Sequence, residues 1–117
     1  MAGKGKKWEG DCKKMLMEDF NTPLVFKLIN PERIDYFIIP LTIPIRKIIL
    51  AEAKKTKKDI YYAKADERKR EQWKKYFEVK GMLEQIGYKP EVWLYLNKRG
   101  VVTKYKFEKY DEIQTSY

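Results

Sequence analysis

The 117-residue chain has no histidine and a single cysteine, Cys12. Without imidazole there is no histidine general base, no Ser–His pair and no His-ligated zinc. A lone thiol forms no internal disulfide, which points to an intracellular protein. No apolar run approaches the roughly 18 residues of a spanning helix, so no membrane-spanning segment is expected. The opening MAGKGKKWEGD is charged and lacks the apolar core of a secretory signal. Internal repeats, low-complexity segments and linkers are also missing, and the length suits a single domain over residues 1–117.

What the chain has in excess is positive charge. Lys and Arg number 26 against 17 Asp and Glu, giving +9 and a pI near 9.5. Such a balance favours a polyanionic partner, nucleic acid first and an anionic membrane surface second. Hydrophobic residues make up 44% and aromatics 15%, enough to build a core.

Residues 1–7, with Lys4, Lys6 and Lys7 between glycines, read as a flexible basic arm able to contact phosphate. From 8 to 20 the apolar residues Trp8, Cys12, Met15, Leu16 and Phe20 recur at helical spacing, and Asn21-Thr22-Pro23 ends the helix. Cys12 is then a buried small hydrophobe. Glu9 lies in the first turn, where the helix dipole favours an anion. Leu24 to Ile29 is a short strand, and Asn30-Pro31-Glu32 a turn. Ile34 to Ile39 and Ile45 to Ala53 are Ile-rich strands joined by Pro40-Leu41-Thr42-Ile43-Pro44. Lys55 to Asp59 reads as a basic turn and Ile60 to Tyr62 as a further short strand, so that consecutive short-linked runs suggest an antiparallel meander.

Asp66 is placed to cap a helix over about 66–86, with Trp73, Tyr76, Phe77, Leu83 and Ile86 as its apolar positions and Gly87 as its C′ residue. Its first half is strongly basic. Pro90 opens a strand, Glu91 to Leu96. Asn97-Lys98-Arg99-Gly100 is a hairpin-like turn, and Val101 to Phe107 alternates as a half-buried strand. Tyr110 to Tyr117 reads as a polar tail.

Two carboxylates interrupt the apolar strands, Asp35 in the first and Glu52 at the end of the second. On a strand, residues two apart share a face, so Glu52 and Lys54 point the same way. Carboxylates in apolar strands are costly unless compensated, and a metal is one such compensation. Without histidine the ligands would be oxygens, which favours Mg²⁺ or Mn²⁺. The chemistry this suggests is phosphodiester hydrolysis. Asp35 and Glu52 are the candidate ligands, with the backbone carbonyl of Ala53 as a third oxygen. Lys54 would either orient or deprotonate the water, or stabilise the pentacovalent state. Glu9 would complete the cluster if the first helix packs its early turns over the strands. The competing reading makes Asp35 a structural ion-pair partner of Arg33 or Lys54.

Four stretches, GKGKKWEGDCKKML, ERIDYFII, IILAEAKKTKKDIYY and KREQW, followed by the closing KRGVVTKYKFEKYDEIQTSY, resemble in order the PD-(D/E)xK nuclease superfamily. Within it they resemble the archaeal-type Holliday junction resolvases. The chain departs from that pattern in having Ile34 before Asp35, where the family has proline. It also carries PLTIP between the two acidic motifs. The resemblance implies an α/β, restriction-endonuclease-like fold: a central mixed β-sheet flanked by helices with an α-β-β-β-α-β core. It implies a Mg²⁺-dependent endonuclease, with Mn²⁺ able to substitute, that resolves four-way junctions as a homodimer without a small-molecule cofactor. Glu9, Asp35, Glu52 and Lys54 would be its catalytic set. DNA contacts are expected from Lys4, Lys6, Lys7, Lys55, Lys57, Lys58, Arg68, Arg70 and Gln72. The alternatives are a related nuclease for single strands, flaps or nicks, and a non-catalytic DNA-binding protein of the same fold.

Overall fold

The computed structural model describes residues 2–28, 34–42 and 46–117, with side chains described from residue 7 onward. Helix α1 (Ala2–Asp19) is followed by strands β1 (Val25–Lys27), β2 (Tyr36–Ile38) and β3 (Lys47–Thr56). Helix α2 (Glu67–Gln85), strands β4 (Lys89–Lys98) and β5 (Val101–Phe107) and a 3₁₀ turn (Tyr110–Glu112) complete the chain. The strands form one mixed sheet in the order β1-β2-β3-β4-β5. The β1–β2, β2–β3 and β4–β5 pairs are antiparallel, and β3–β4 is parallel. A parallel pair needs a crossover, and α2 supplies it. This is the expected α/β architecture with a mixed sheet flanked by helices.

Each helix covers one face. On the first face Trp8, Cys12 and Leu16 of α1 bury against Val25, Tyr36, Ile38, Ile49, Ala51 and Tyr95. On the other, Trp73 and Tyr76 of α2 bury against Ile48, Leu50, Val92, Leu94, Leu96 and Phe107. β3 is therefore buried on both sides, which is why its sequence is a continuous apolar run rather than an alternation. Burying each such side chain contributes roughly 1.5–3 kcal/mol.

Both helices end in the same hydrogen-bonded loop. Asn21 (φ 48°) donates its N–H to Glu18 O and Thr22 donates to Met17 O, at 3.3 and 3.0 Å. Gly87 (φ 94°) donates to Glu84 O and Tyr88 to Leu83 O, at 3.1 and 3.0 Å. These left-handed C′ residues satisfy the last carbonyls of each helix. Asp66 caps α2 as expected, accepting from the Lys69 N–H at 2.8 Å.

Several expectations are corrected. α1 starts at Ala2, so residues 2–7 of the expected flexible basic arm form its first turns. Once Trp8 and Cys12 anchor the helix, each added residue gains one hydrogen bond, which offsets the weak propensity of Gly3 and Gly5. Glu9 is consequently not in the first turn, and the dipole role falls away. β3 runs on to Thr56, because Lys55 and Thr56 pair with Asn97 and Lys98; only residues 57–59 remain as the basic turn. Ile60 to Tyr62 forms an isolated bridge, Tyr62 with Ser116, rather than a strand of the sheet. The closing segment is not a loose polar tail: Ile113 is buried and Tyr61 and Tyr117 exchange two backbone hydrogen bonds of 2.8 Å. Ile86 is exposed as the C-cap of α2. The expected Asn30-Pro31-Glu32 turn and the Ile43-Pro44 end of the linker lie outside the described residues.

Candidate active site

Asp35 sits immediately before β2, beyond its last pairing with β3, Tyr36 with Ala51. Its carboxylate takes over where the ladder stops: Oδ2 accepts the Ala53 N–H at 3.0 Å. In a strand the N–H and C=O of one residue point to the same side, so the Ala53 carbonyl also faces the Asp35 edge. Glu52, one residue earlier on β3, points to the opposite face of the sheet from Ala53, under α2.

Glu52 is 0% exposed. Oε1 lies 2.7 Å from the Tyr76 hydroxyl. Oε2 accepts from Gln72 Nε2 and lies 3.3 Å from Lys54 Nζ. The Tyr76 hydroxyl also accepts the Asp35 N–H at 3.0 Å and lies 3.1 Å from the Ala51 carbonyl oxygen. Its single proton serves either Glu52 or Ala51. One tyrosine thus links both acidic positions, from one helical turn past Gln72.

The electrostatics follow from this placement. Burial pushes the Glu52 carboxyl well above its usual range, and the Asp35 charge pushes it further; Lys54 opposes both. Burial first, then the Glu52 and Asp35 charges, hold the Tyr76 hydroxyl protonated. A buried carboxyl whose ionisation is further disfavoured by a neighbouring carboxylate is a place where a cation would bring relief. Both donors are hard oxygens, a match to Mg²⁺ or Mn²⁺. Among the described residues no three His, Cys, Asp or Glu side chains form a ligand group. Two carboxylates and the Ala53 backbone edge are thus the oxygens that the chain brings together here.

The site opens into a cleft of about 490 Å³ lined by Asp35, Lys54, Asp66, Arg68, Lys69 and Gln72. Arg68 and Lys69 stand on the first turn of α2, so its basic run borders the site. Lys69 Nζ is also tied to the Tyr62 carbonyl at 2.8 Å.

The remaining expected residues scatter. The Glu9 carboxylate forms an ion pair with Lys27, and α1 covers the face opposite Glu52, so Glu9 does not join the cluster. Lys7 and Lys55 line a second groove on that opposite face with Trp8 and Lys14. Lys57 and Lys58 are exposed in the turn after β3. Arg70 donates from Nη1 to the Lys64 carbonyl at 3.0 Å, which gives it a structural task. Lys4 and Lys6 lie on α1, their side chains outside the description. Lys54 pairs with Glu52 rather than with Asp35, and Arg33 lies outside the described residues.

Sequence reasoning missed Tyr76 and Lys69 as members of the site and read Asp66 as a cap alone. The available signal was the four-residue spacing of Gln72 and Tyr76, which places them one above the other on a helix. Comparison of the chain with family models, with curated proteins and with solved structures returns no match.

Proposed function

We propose that the chain is a Mg²⁺-dependent, structure-selective DNA endonuclease of the archaeal Holliday junction resolvase kind, acting as a homodimer on four-way junctions. The observation that supports this most strongly is the meeting of Asp35, just before β2, with the buried Glu52 of the adjacent antiparallel β3 beside a basic cleft, with Lys54 on the face of Glu52. Net charge of +9 supports a polyanionic substrate.

Asp35 and Glu52 would hold the cation, with the Ala53 carbonyl edge beside them. The chemistry such a cation supplies is a water of lowered pKa and charge stabilisation around phosphorus. The chain's own groups do the positioning. Gln72 and Tyr76 each engage one oxygen of Glu52, so its carboxylate has a fixed orientation. Ala53 N–H and the Tyr76 hydroxyl fix Asp35 through its side chain and its backbone. Lys54, partly exposed and 3.3 Å from Glu52, brings its ammonium to the cleft, where it meets the attacking water or the charge developing on the phosphoryl oxygens. Arg68 and Lys69 neutralise the entering phosphodiester.

A panel of four-way junction, flap, nicked, single-stranded and linear DNA, incubated with Mg²⁺, tests the reading. Selective cutting of the junction is expected. Cutting confined to flaps or single strands would move the assignment to a related nuclease. Tight binding without cutting in Mg²⁺ or Mn²⁺ would make it a binding module.

A further inference from the structure

Beside the cleft lies a feature that phosphate contacts leave unexplained. Ile60 and Tyr62 are large, apolar and 47% and 50% exposed. Tyr61 between them is buried, its ring under Lys69 Nζ at 5.1 Å, so the two neighbours turn outward. The segment is held firmly. Tyr61 exchanges two 2.8 Å backbone hydrogen bonds with Tyr117, Tyr62 bridges Ser116, and the Ala63 N–H donates to Thr115 O at 2.9 Å. Lys69, which lines the cleft with Asp35 and Lys54, reaches across to the Tyr62 carbonyl.

The surroundings are cationic on both sides. Lys57 and Lys58 lie exposed in the preceding turn. That turn is pinned to the β4–β5 hairpin by Arg99 Nε to the Lys57 carbonyl at 3.0 Å and by Lys98 Nζ to the Asp59 carbonyl at 3.3 Å. Asp59 is neutralised by Arg99 at 2.9 Å. Arg68 and Lys69 stand on the other side, with Asp66 occupied in capping α2. A rigid aromatic and aliphatic pair between two cationic borders complements a polyanion that exposes π-faces, meaning nucleic acid with bases out of the stack. A continuous duplex offers its phosphates but not its base faces.

We infer that Ile60 and Tyr62 form a stacking platform for unstacked bases at a branch point and so set the preference for branched over continuous DNA. This rests on the nuclease reading above and assigns the element that selects its substrate. Stacking on an aromatic side chain is worth about 1–3 kcal/mol per base. Tyr62→Ala should therefore weaken junction binding about 5- to 150-fold, while binding to a linear duplex of equal length changes less than about 2-fold. The dependence on salt should keep its slope, because no phosphate contact is removed.

The experiment measures fluorescence anisotropy of both DNAs in EDTA for the wild-type chain, Tyr62→Ala, Tyr62→Phe and Ile60→Ser, with melting curves to confirm folding. A junction carrying 2-aminopurine at its branch point reports stacking directly. Selective loss with Tyr62→Ala and Ile60→Ser, retention with Tyr62→Phe, and branch-point quenching by the wild-type chain alone are expected. Equal loss on junction and duplex, or no loss, would overturn the platform. So would a change of oligomeric state in Tyr62→Ala, which would make the patch an interface between copies. Binding in EDTA is read without cleavage, so a chain that selects junctions through Tyr62 but never cuts refutes the nuclease reading and leaves this inference standing.

Discussion

Glu52→Gln separates what the fold needs from what the site needs. The amide keeps the shape of Glu52 and removes the charge; its oxygen can still accept from the Tyr76 hydroxyl, while its NH₂ meets Gln72 only if the Gln72 amide turns to present its oxygen. Glu52 is fully buried, faces the Asp35 carboxylate, and has Lys54 as its cationic neighbour. Burial and the Asp35 charge hold its native carboxyl well above the usual carboxylate range near 4.5. Between those two limits the folded state binds more protons than the unfolded one, so stability falls as pH rises through that window. In a chelator at pH 8 the substitution should stabilise the chain by up to about 3 kcal/mol, the scale found when a poorly compensated buried charge is replaced. At about pH 3, below the usual carboxylate range, the charge-dependent part of the difference should disappear, since Glu52 is then protonated in both states. One kcal/mol moves the midpoint of a domain this size by roughly 3–6 °C, well within reach of a thermal melt. Magnesium should reverse the order. Ligand at 100 times its dissociation constant stabilises the wild type by about 2.7 kcal/mol, and the variant, short of one carboxylate, should gain little. A variant less stable than wild type in chelator at pH 8, or stabilised equally by Mg²⁺, would refute this account of Glu52.

Two further outcomes follow from the same geometry. Tyr76→Phe keeps the ring against Trp73, 5.1 Å away, but removes the hydroxyl shared by Glu52, Asp35 and Ala51. It should cost about 1–2 kcal/mol in denaturant melts and lower Mg²⁺-dependent cleavage about 10- to 100-fold, as loss of an outer partner of a ligand does; unchanged cleavage would remove Tyr76 from the site. Cys12 is buried, and burial followed by the Asp35 and Asp19 charges pushes its thiol up to about 12. A thiol reagent at pH 7–8 should label it only on unfolding, and rapid labelling of the native chain would contradict its place between α1 and the sheet.

Much of this arrangement was legible in the chain because local periodicity and tertiary packing agree. Trp8, Cys12 and Leu16 recur at helical spacing and do bury one face of α1. The period of two puts Glu52 and Lys54 on one face, and they pair there. Asn97-Lys98-Arg99-Gly100 reads as a hairpin, and Arg99 and Gly100 take φ of 53° and 87°, the left-handed pair that a two-residue turn needs. What was hidden depends on distance along the chain. The bridge between Tyr62 and Ser116 spans more than fifty residues, and no local pattern in a polar ending announces it. Tyr76 occupies an apolar helix position, so its ring is legible as core, but the aim of its hydroxyl depends on where β2 and β3 lie. Glu9 looked like a ligand while the side of the sheet that α1 covers was open; with α1 opposite Glu52, its partner is Lys27.

The central claim, that Asp35 and Glu52 form the cation-binding centre of a junction-cutting nuclease, is tested most directly by Asp35→Asn on a labelled four-way junction. The variant should bind the junction in EDTA as tightly as the wild-type chain. On addition of Mg²⁺ the wild-type chain should introduce symmetrically placed cuts, and the variant should introduce none. Cleavage by Asp35→Asn at the wild-type rate, or absence of cleavage by the wild-type chain in both Mg²⁺ and Mn²⁺, would contradict it.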